Sequence, residues 1–250
     1  LSDLIRPDTT LVSVMAVNNE IGSIQPIEAI SELLADKPTI SFHVDAVQAL
    51  AKIPSEKYLT ERVDFATFSS HKFHGVRGVG LVYIKSGKKI TPLLTGGGQE
   101  RDYRSTTENV AGIAATAKAL RLSMEKLDIF TSKTGQMKAV IRQALLDYPD
   151  IFVFSDEEDF APHILTFGIK GVRGEVIVHA FEDYDIFIST TSACSSKAGK
   201  PAGTLIAMGV DKDKAQSAVR LSLDLENDMS QVEQFLTKLK LIYNQTRKVR

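Results

Sequence analysis

Lys72 lies in the run Ser69-Ser70-His71-Lys72-Phe73-His74-Gly75, and Asp45 and Gln48 lie in His43-Val44-Asp45-Ala46-Val47-Gln48, at the end of an earlier apolar run. An amine, a carboxylate and a hydrogen-bonding amide brought together from the ends of two predicted strands are the parts needed to hold and charge a pyridoxal phosphate ring. A lysine amine, with an ordinary pKa of about 10.4, is protonated at neutral pH and is a poor nucleophile until it is desolvated or bonded to an aldehyde. An aspartate that follows apolar strand residues is expected to be buried, where it is costly unless it meets a cation, and a protonated pyridine nitrogen is such a cation. That pairing lets the ring accept the electrons released when a bond at a substrate α-carbon breaks. Ser69 and His71, in the turn after a strand, are placed to direct a hydroxyl and an imidazole at a phosphate. Taken singly, Lys72 and His71 are also ordinary loop residues, and Asp45 also suits a helix N-cap.

Cys194 is the only cysteine of the chain and draws the chemistry toward sulfur. A lone cysteine is commonly an inert buried residue. Its neighbours here, Thr190-Thr191-Ser192-Ala193 and Ser195-Ser196-Lys197-Ala198-Gly199-Lys200-Pro201-Ala202-Gly203, have the small, polar composition of an exposed loop. Lys197 and Lys200 would favour the thiolate, and a loop of this length lets a thiol approach a site and swing away.

The elements that must position these groups follow from hydrophobic patterning. Leu11 to Val17 is an apolar, β-branched run expected to form a strand buried on both faces. Pro26 opens a helix with Ile27, Ile30, Leu33 and Leu34 at helical spacing. Thr39 to Val44, Asp64 to Phe68 and Val79 to Ile84 are further strands, so the first hundred residues alternate strand and helix as α/β sheets do. Functional residues should then gather at strand ends. Gly96-Gly97-Gly98 marks a turn that side chains would obstruct, ahead of a helix from about Glu108 to Leu127. Beyond it the pattern predicts a helix over Ser132 to Leu146, strands over Ile151 to Phe154 and Ile164 to Ile169, a helix over Gly174 to Phe181, and strands over Ile186 to Ile188 and Val219 to Leu223. Val232 to Tyr243 is a closing helix. Clear parallel alternation is lost there, which suits an α+β lobe. The expected division is 1–120 as part of a cofactor-binding large domain and 121–250 as a smaller domain carrying the cysteine loop.

The 250 residues carry a formal net charge of -1, from 30 basic and 31 acidic side chains, which leaves no electrostatic footprint for nucleic acid or an anionic membrane. With 43% hydrophobic and 24% charged residues the composition is that of a globular protein. One cysteine cannot form an internal disulfide, and no apolar stretch is long enough to span a bilayer, so a cytoplasmic location is expected. The five histidines and one cysteine show no spacing typical of a zinc site. The chain starts at Leu1 with no leader-like segment, which points to residues missing upstream.

Five motifs occur in an order that resembles the cysteine desulfurases: Val17-Asn18-Asn19-Glu20-Ile21-Gly22, His43-Val44-Asp45-Ala46-Val47-Gln48, Ser69-Ser70-His71-Lys72, Gly96-Gly97-Gly98-Gln99-Glu100 and Ser192-Ala193-Cys194-Ser195, with Val219-Arg220-Leu221-Ser222-Leu223 after them. The likeness is to the NifS/IscS-like group of the class V aminotransferase family and runs across almost the whole chain. It implies a pyridoxal-phosphate-dependent transferase fold of type I: an α/β fold with an incomplete large domain around a mixed, mainly parallel sheet, plus a smaller α+β carboxyl-terminal domain. It implies that Lys72 is bonded to the cofactor, that Asp45 pairs with the pyridine nitrogen and Gln48 with the phenolic oxygen, and that Ser69 and His71 bind phosphate. Asn19 would contact cofactor and substrate, Arg220 the substrate carboxylate, and Thr107 the phosphate of a neighbouring subunit, which makes the protein a homodimer. Cys194 would take sulfur from L-cysteine, leaving L-alanine and a persulfide. The persulfide would pass to an acceptor protein serving iron–sulfur cluster assembly or tRNA thiolation.

Departures from the family pattern are Thr191 and Asp224 where glycine is usual and Ala16 where histidine is frequent; they should tune loop motion and leave the chemistry intact. The amino-terminal part, which in the family supplies a glycine-threonine phosphate loop and a ring-stacking histidine, is expected to be missing, so that the fragment alone binds cofactor poorly or turns over slowly. Two other readings stay open: another enzyme of this fold, such as a selenocysteine lyase or an aminotransferase, and a noncatalytic sulfur-relay or docking module.

Overall fold

The computed structural model describes residues 1–156, 158–191 and 203–248. Two compact units emerge, one made of residues 1–16 and 25–127, the other of residues 17–24 and 128–250.

The first unit is built on a four-stranded sheet. β1 (Leu11–Met15), β2 (Ser41–Asp45) and β3 (Phe65–Ser69) are parallel neighbours, and β4 (Gly80–Ile84) closes the order β1-β2-β3-β4 by pairing antiparallel to β3. α1 (Ile27–Leu33) connects β1 to β2, with Pro26 at its N-cap, one position ahead of the first helical residue. Strand alternation sends Val12, Phe42, Val44, Ala66 and Phe68 into the core. The expectation that β1 is buried on both faces is corrected here, since Leu11 and Met15 are 55% and 39% exposed. Apolar, β-branched residues were compatible with a doubly covered strand, but only one face of β1 carries a layer.

A charged knot closes the loop before β3. The Arg62 guanidinium donates to the carbonyls of Leu34, Lys37 and Ile40 and to Asp64 Oδ2 at 2.9 Å. Asp64 also accepts from the backbone amide of Phe42 and lies 3.1 Å from Lys88 Nζ. Burial pushes the Asp64 carboxyl up, but these bonds outweigh it and hold it below the usual carboxylate range. α2 (Val110–Met124) ends the unit; it starts at Val110, later than patterning predicts, because the Asn109 side chain accepts from the amide of Gly112.

The second unit carries a sheet of order β5-β6-β8-β7, antiparallel throughout, from β5 (Ile151–Val153), β6 (Ile164–Ile169), β7 (Ser189–Thr190) and β8 (Val219–Ser222). On one face pack α3 (Leu127–Leu146), α4 (Gly174–Glu182) and α7 (Met229–Lys248), which bury Met137, Ile141, Ile177, Phe181, Phe235 and Leu239 against Phe167, Val219 and Leu221. Phe181 and Phe235 stack at 4.9 Å. The other face holds Ile21, Leu205, Ala215 and Ala218, contributed partly by the short α5 (Gly203–Ala207) and α6 (Lys212–Gln216), two helices that patterning missed.

The strand expected over Ile186 to Ile188 is instead irregular chain that follows a turn. Asp185 takes a left-handed φ of 58°, Ile186 donates its amide back to Phe181, and pairing begins only at Ser189. α7 starts at Met229, ahead of the predicted Val232, because Asp228 accepts from the amide of Gln231. Among the described residues no helix is long and apolar enough to cross a membrane, and no group of three His, Cys, Asp or Glu side chains is placed to hold a metal.

Candidate functional site

Because β1, β2 and β3 are parallel, their carboxyl ends share one edge of the sheet, the usual place for a ligand site in an open α/β sheet. Asp45 is the last residue of β2, in register with Met15 on one side and Thr67 on the other. Gln48 sits in the turn that follows, closed by the amides of Ala49 and Leu50 on the carbonyl of Ala46. Ser69 ends β3, and the 3-10 turn Ser70–Phe73 then carries His71 and Lys72. One edge therefore gathers an amine, a carboxylate, an amide, a hydroxyl and an imidazole from two adjacent strand ends.

Asp45 corrects one expectation. It is exposed, because it lies on the open face of the sheet with Ser41 and His43. Its Oδ1 accepts from the amide of Val47, so it caps a turn and not a helix. Lys72, Gln48 and Ser69 are half-buried, and His71 is exposed. Thr107 is exposed in the loop ahead of α2.

His43, quoted above only as part of a motif, holds a cross-strand chain on the same face as Asp45. Its Nδ1 lies 2.7 Å from Ser13 Oγ on β1, and its Nε2 lies 3.1 Å from Thr67 Oγ1 on β3. Burial pulls its pKa below the ordinary 6.5, partly offset by the Asp45 carboxylate. A serine, a histidine and a threonine scattered over three strands carry no spacing signal, so strand register alone reveals them.

In the second unit Asn19 and Arg220 come together: Arg220 Nη1 donates to the Asn19 carbonyl at 2.7 Å. Neighbouring carbonyls of the same turn are taken as well. Thr166 Oγ1 donates to Glu20, Ser155 Oγ to Ile21 and the amide of Ala161 to Gly22. Asn18 Oδ1 accepts from the amides of Glu20 and Ile21. These bonds explain why residues 17–24 belong to the second unit although the strand before them belongs to the first. Cys194 lies outside the described residues, as do Ser192, Ala193, Ser195, Lys197 and Lys200. Of the described stems on either side of it, one pairs with the strand of Arg220 and the other bonds the turn at Glu20. Ser189 pairs with Arg220 in the β7–β8 ladder, and the amide of Thr204 donates to Glu20 Oε2 at 3.3 Å.

The donor set on the first unit fits pyridoxal phosphate: an amine for the aldehyde, an anion for the ring nitrogen, and hydroxyl and imidazole donors for the phosphate.

Comparisons with known proteins agree over the same length. The aminotransferase class-V model matches residues 1–235. A protein of Lactobacillus delbrueckii subsp. bulgaricus described as a NifS/IcsS protein homolog is 51% identical over 250 residues, covering 100% of this chain and 65% of its own. The cysteine desulfurase IscS of Clostridium botulinum is 37% identical over 252 residues, again 100% of this chain and 63% of its own. Among solved structures a NifS-like protein superposes with a TM-score of 0.87 at 36% identity, over 97% of this chain and 63% of that one. The NifS-like protein of Rickettsia africae gives a TM-score of 0.85 at 28% identity, over 97% and 64%. The chain thus spans somewhat under two thirds of the length of these relatives. With the family model matching residues 1–235, the chain belongs to the class V aminotransferase family.

Proposed function

We propose that the intact protein is a pyridoxal-phosphate-dependent cysteine desulfurase. The observation that carries this reading is the convergence of Asp45, Gln48, Ser69, His71 and Lys72 on the carboxyl edge of the parallel strands. In it, residues 1–120 contribute part of the cofactor-binding domain and residues 121–250 the domain with the cysteine segment.

When bound, the cofactor supplies an electron sink for the substrate α-carbon. Lys72 Nζ would hold its aldehyde carbon and would move protons at the substrate α-carbon. Asp45 would keep the ring nitrogen protonated, Gln48 would bond the phenolic oxygen, and Ser69 and His71 would bind the phosphate, with Thr107 reaching the phosphate held by a second copy in a homodimer. Asn19 contacts cofactor and substrate, and the planar fork of Arg220 grips the L-cysteine carboxylate. Cys194 thiolate attacks the substrate sulfur; the carbon–sulfur bond breaks, a sulfur–sulfur bond forms on Cys194, and the carbon gains a proton to leave L-alanine. The persulfide passes to an acceptor protein of iron–sulfur assembly or tRNA thiolation.

The test is alanine release from L-cysteine by the intact protein and by Cys194→Ser. The expected result is a loss of at least a hundredfold with cofactor binding unchanged. Alanine formed at the parental rate would remove Cys194 from the reaction and favour an enzyme of this fold that needs no loop thiol, such as a selenocysteine lyase, whereas no alanine from the parent would favour transamination.

A further inference from the structure

We infer that Thr116 and Ser123 of α2 are positioning residues for Lys72, a role that rests on the reading of Lys72 as the cofactor-bonded amine. The turn Ser70–Phe73 is gripped at both ends by one helix face. Ser70 Oγ lies 2.9 Å from Thr116 Oγ1, and Ser123 Oγ donates to the Phe73 carbonyl at 3.2 Å. Seven residues separate the two α2 hydroxyls, two helical turns and about 10 Å along one face, so they bracket Lys72 from before and behind.

The direction of the first bond is fixed. Thr116 has one hydroxyl proton and donates it to the Gly112 carbonyl at 2.7 Å, so Ser70 must be the donor to Thr116. Ser70 is fully buried and is the hub of the turn. Its carbonyl accepts from the amides of His74 and Gly75, its amide donates to Val79, and a Cβ on Gly75 would lie 1.9 Å from its Oγ. His74 closes the turn in a left-handed conformation with φ 65°. A turn so fully bonded has few alternative shapes, and the backbone from which the half-buried Lys72 side chain extends inherits that restriction.

Competitive labelling of amines with acetic anhydride, read by peptide mass across pH, tests this without cofactor. In Thr116→Val the turn loses its buried acceptor, and Lys72 should label at least threefold faster, with amide exchange at His74 and Gly75 faster too. Thr116→Ser should restore the parental rate, and exposed Lys118 on the same helix should not change. Ser123→Ala should raise Lys72 labelling by a smaller factor, and this variant carries the test should Thr116→Val not fold. Lys72 labelling and its pH profile equal to the parent in every folded variant would overturn the inference. Loss of the reading of Lys72 shows differently: the parent then fails to bond pyridoxal phosphate at Lys72 while the labelling differences persist.

Discussion

β4 and β6 are both apolar strands of four-stranded sheets, yet every position of β6 is buried while Leu81, Val82 and Tyr83 of β4 are 40%, 53% and 41% exposed. Composition does not separate them. β6 is a central strand with three helices on one face and the Ile21 turn, α5 and α6 on the other, whereas β4 is an edge strand: Leu81 and Tyr83 lie opposite buried Phe68 and Ala66 on the covered face but at its rim, and Val82 lies opposite Thr67 on the open face. Burial therefore follows position in the sheet and the number of covering layers, and not the residue types of the strand. The second unit closes its central strand on both faces, and the first leaves one face of its sheet, with Ser41, His43 and Asp45, open.

The largest expected effect tests the closed core. Phe235 is 4% exposed and stacked on Phe181, so Phe235→Ala should lower the stability of the second unit by about 3–5 kcal/mol. Val82→Ala on β4 should change stability by no more than about 0.5 kcal/mol. Urea unfolding followed by a fluorine label in each unit measures both, and equal losses would erase the contrast.

Alkaline pH gives a smaller effect of opposite sign in the two units. Lys138, buried in the second unit beneath Phe160 and donating to the Ala161 carbonyl, has its pKa pulled by burial from 10.5 to about 8. The unfolded chain binds the extra proton between these values, so the second unit should gain stability from pH 8 to 10.5, by up to about 3 kcal/mol. Tyr58, buried in the first unit, is pushed by burial from 10.0 to about 12. There the folded state keeps the proton longer, so the first unit should lose stability between pH 10 and 12, by up to about 3 kcal/mol. Lys138→Met and Tyr58→Phe should each flatten the corresponding limb, and an unchanged limb would contradict the assignment.

The α/β character, the run of strands to β4 and the boundaries of β6 were legible in the sequence because each depends on local periodicity. So were the strand ends bearing Asp45 and Lys72, since parallel strands fix which end is shared. Layer count was not legible, and β1 was accordingly read as covered on both faces. Long-range hydroxyl bonds were also hidden: Ser70 to Thr116 spans 46 residues and Ser155 to Ile21 spans 134, with no mark in either local pattern. The Asn18–Gly22 turn was recognised as a motif, but its place in the second unit depends on those distant donors.

The most direct measurement is borohydride reduction of the intact protein with pyridoxal phosphate, followed by peptide mass analysis. The pyridoxyl group should sit on Lys72 and be lost in Lys72→Ala, with other lysines unlabelled. A group spread over surface lysines, or retained at parental level in Lys72→Ala, would contradict the proposal that the turn after β3 is where the cofactor is held.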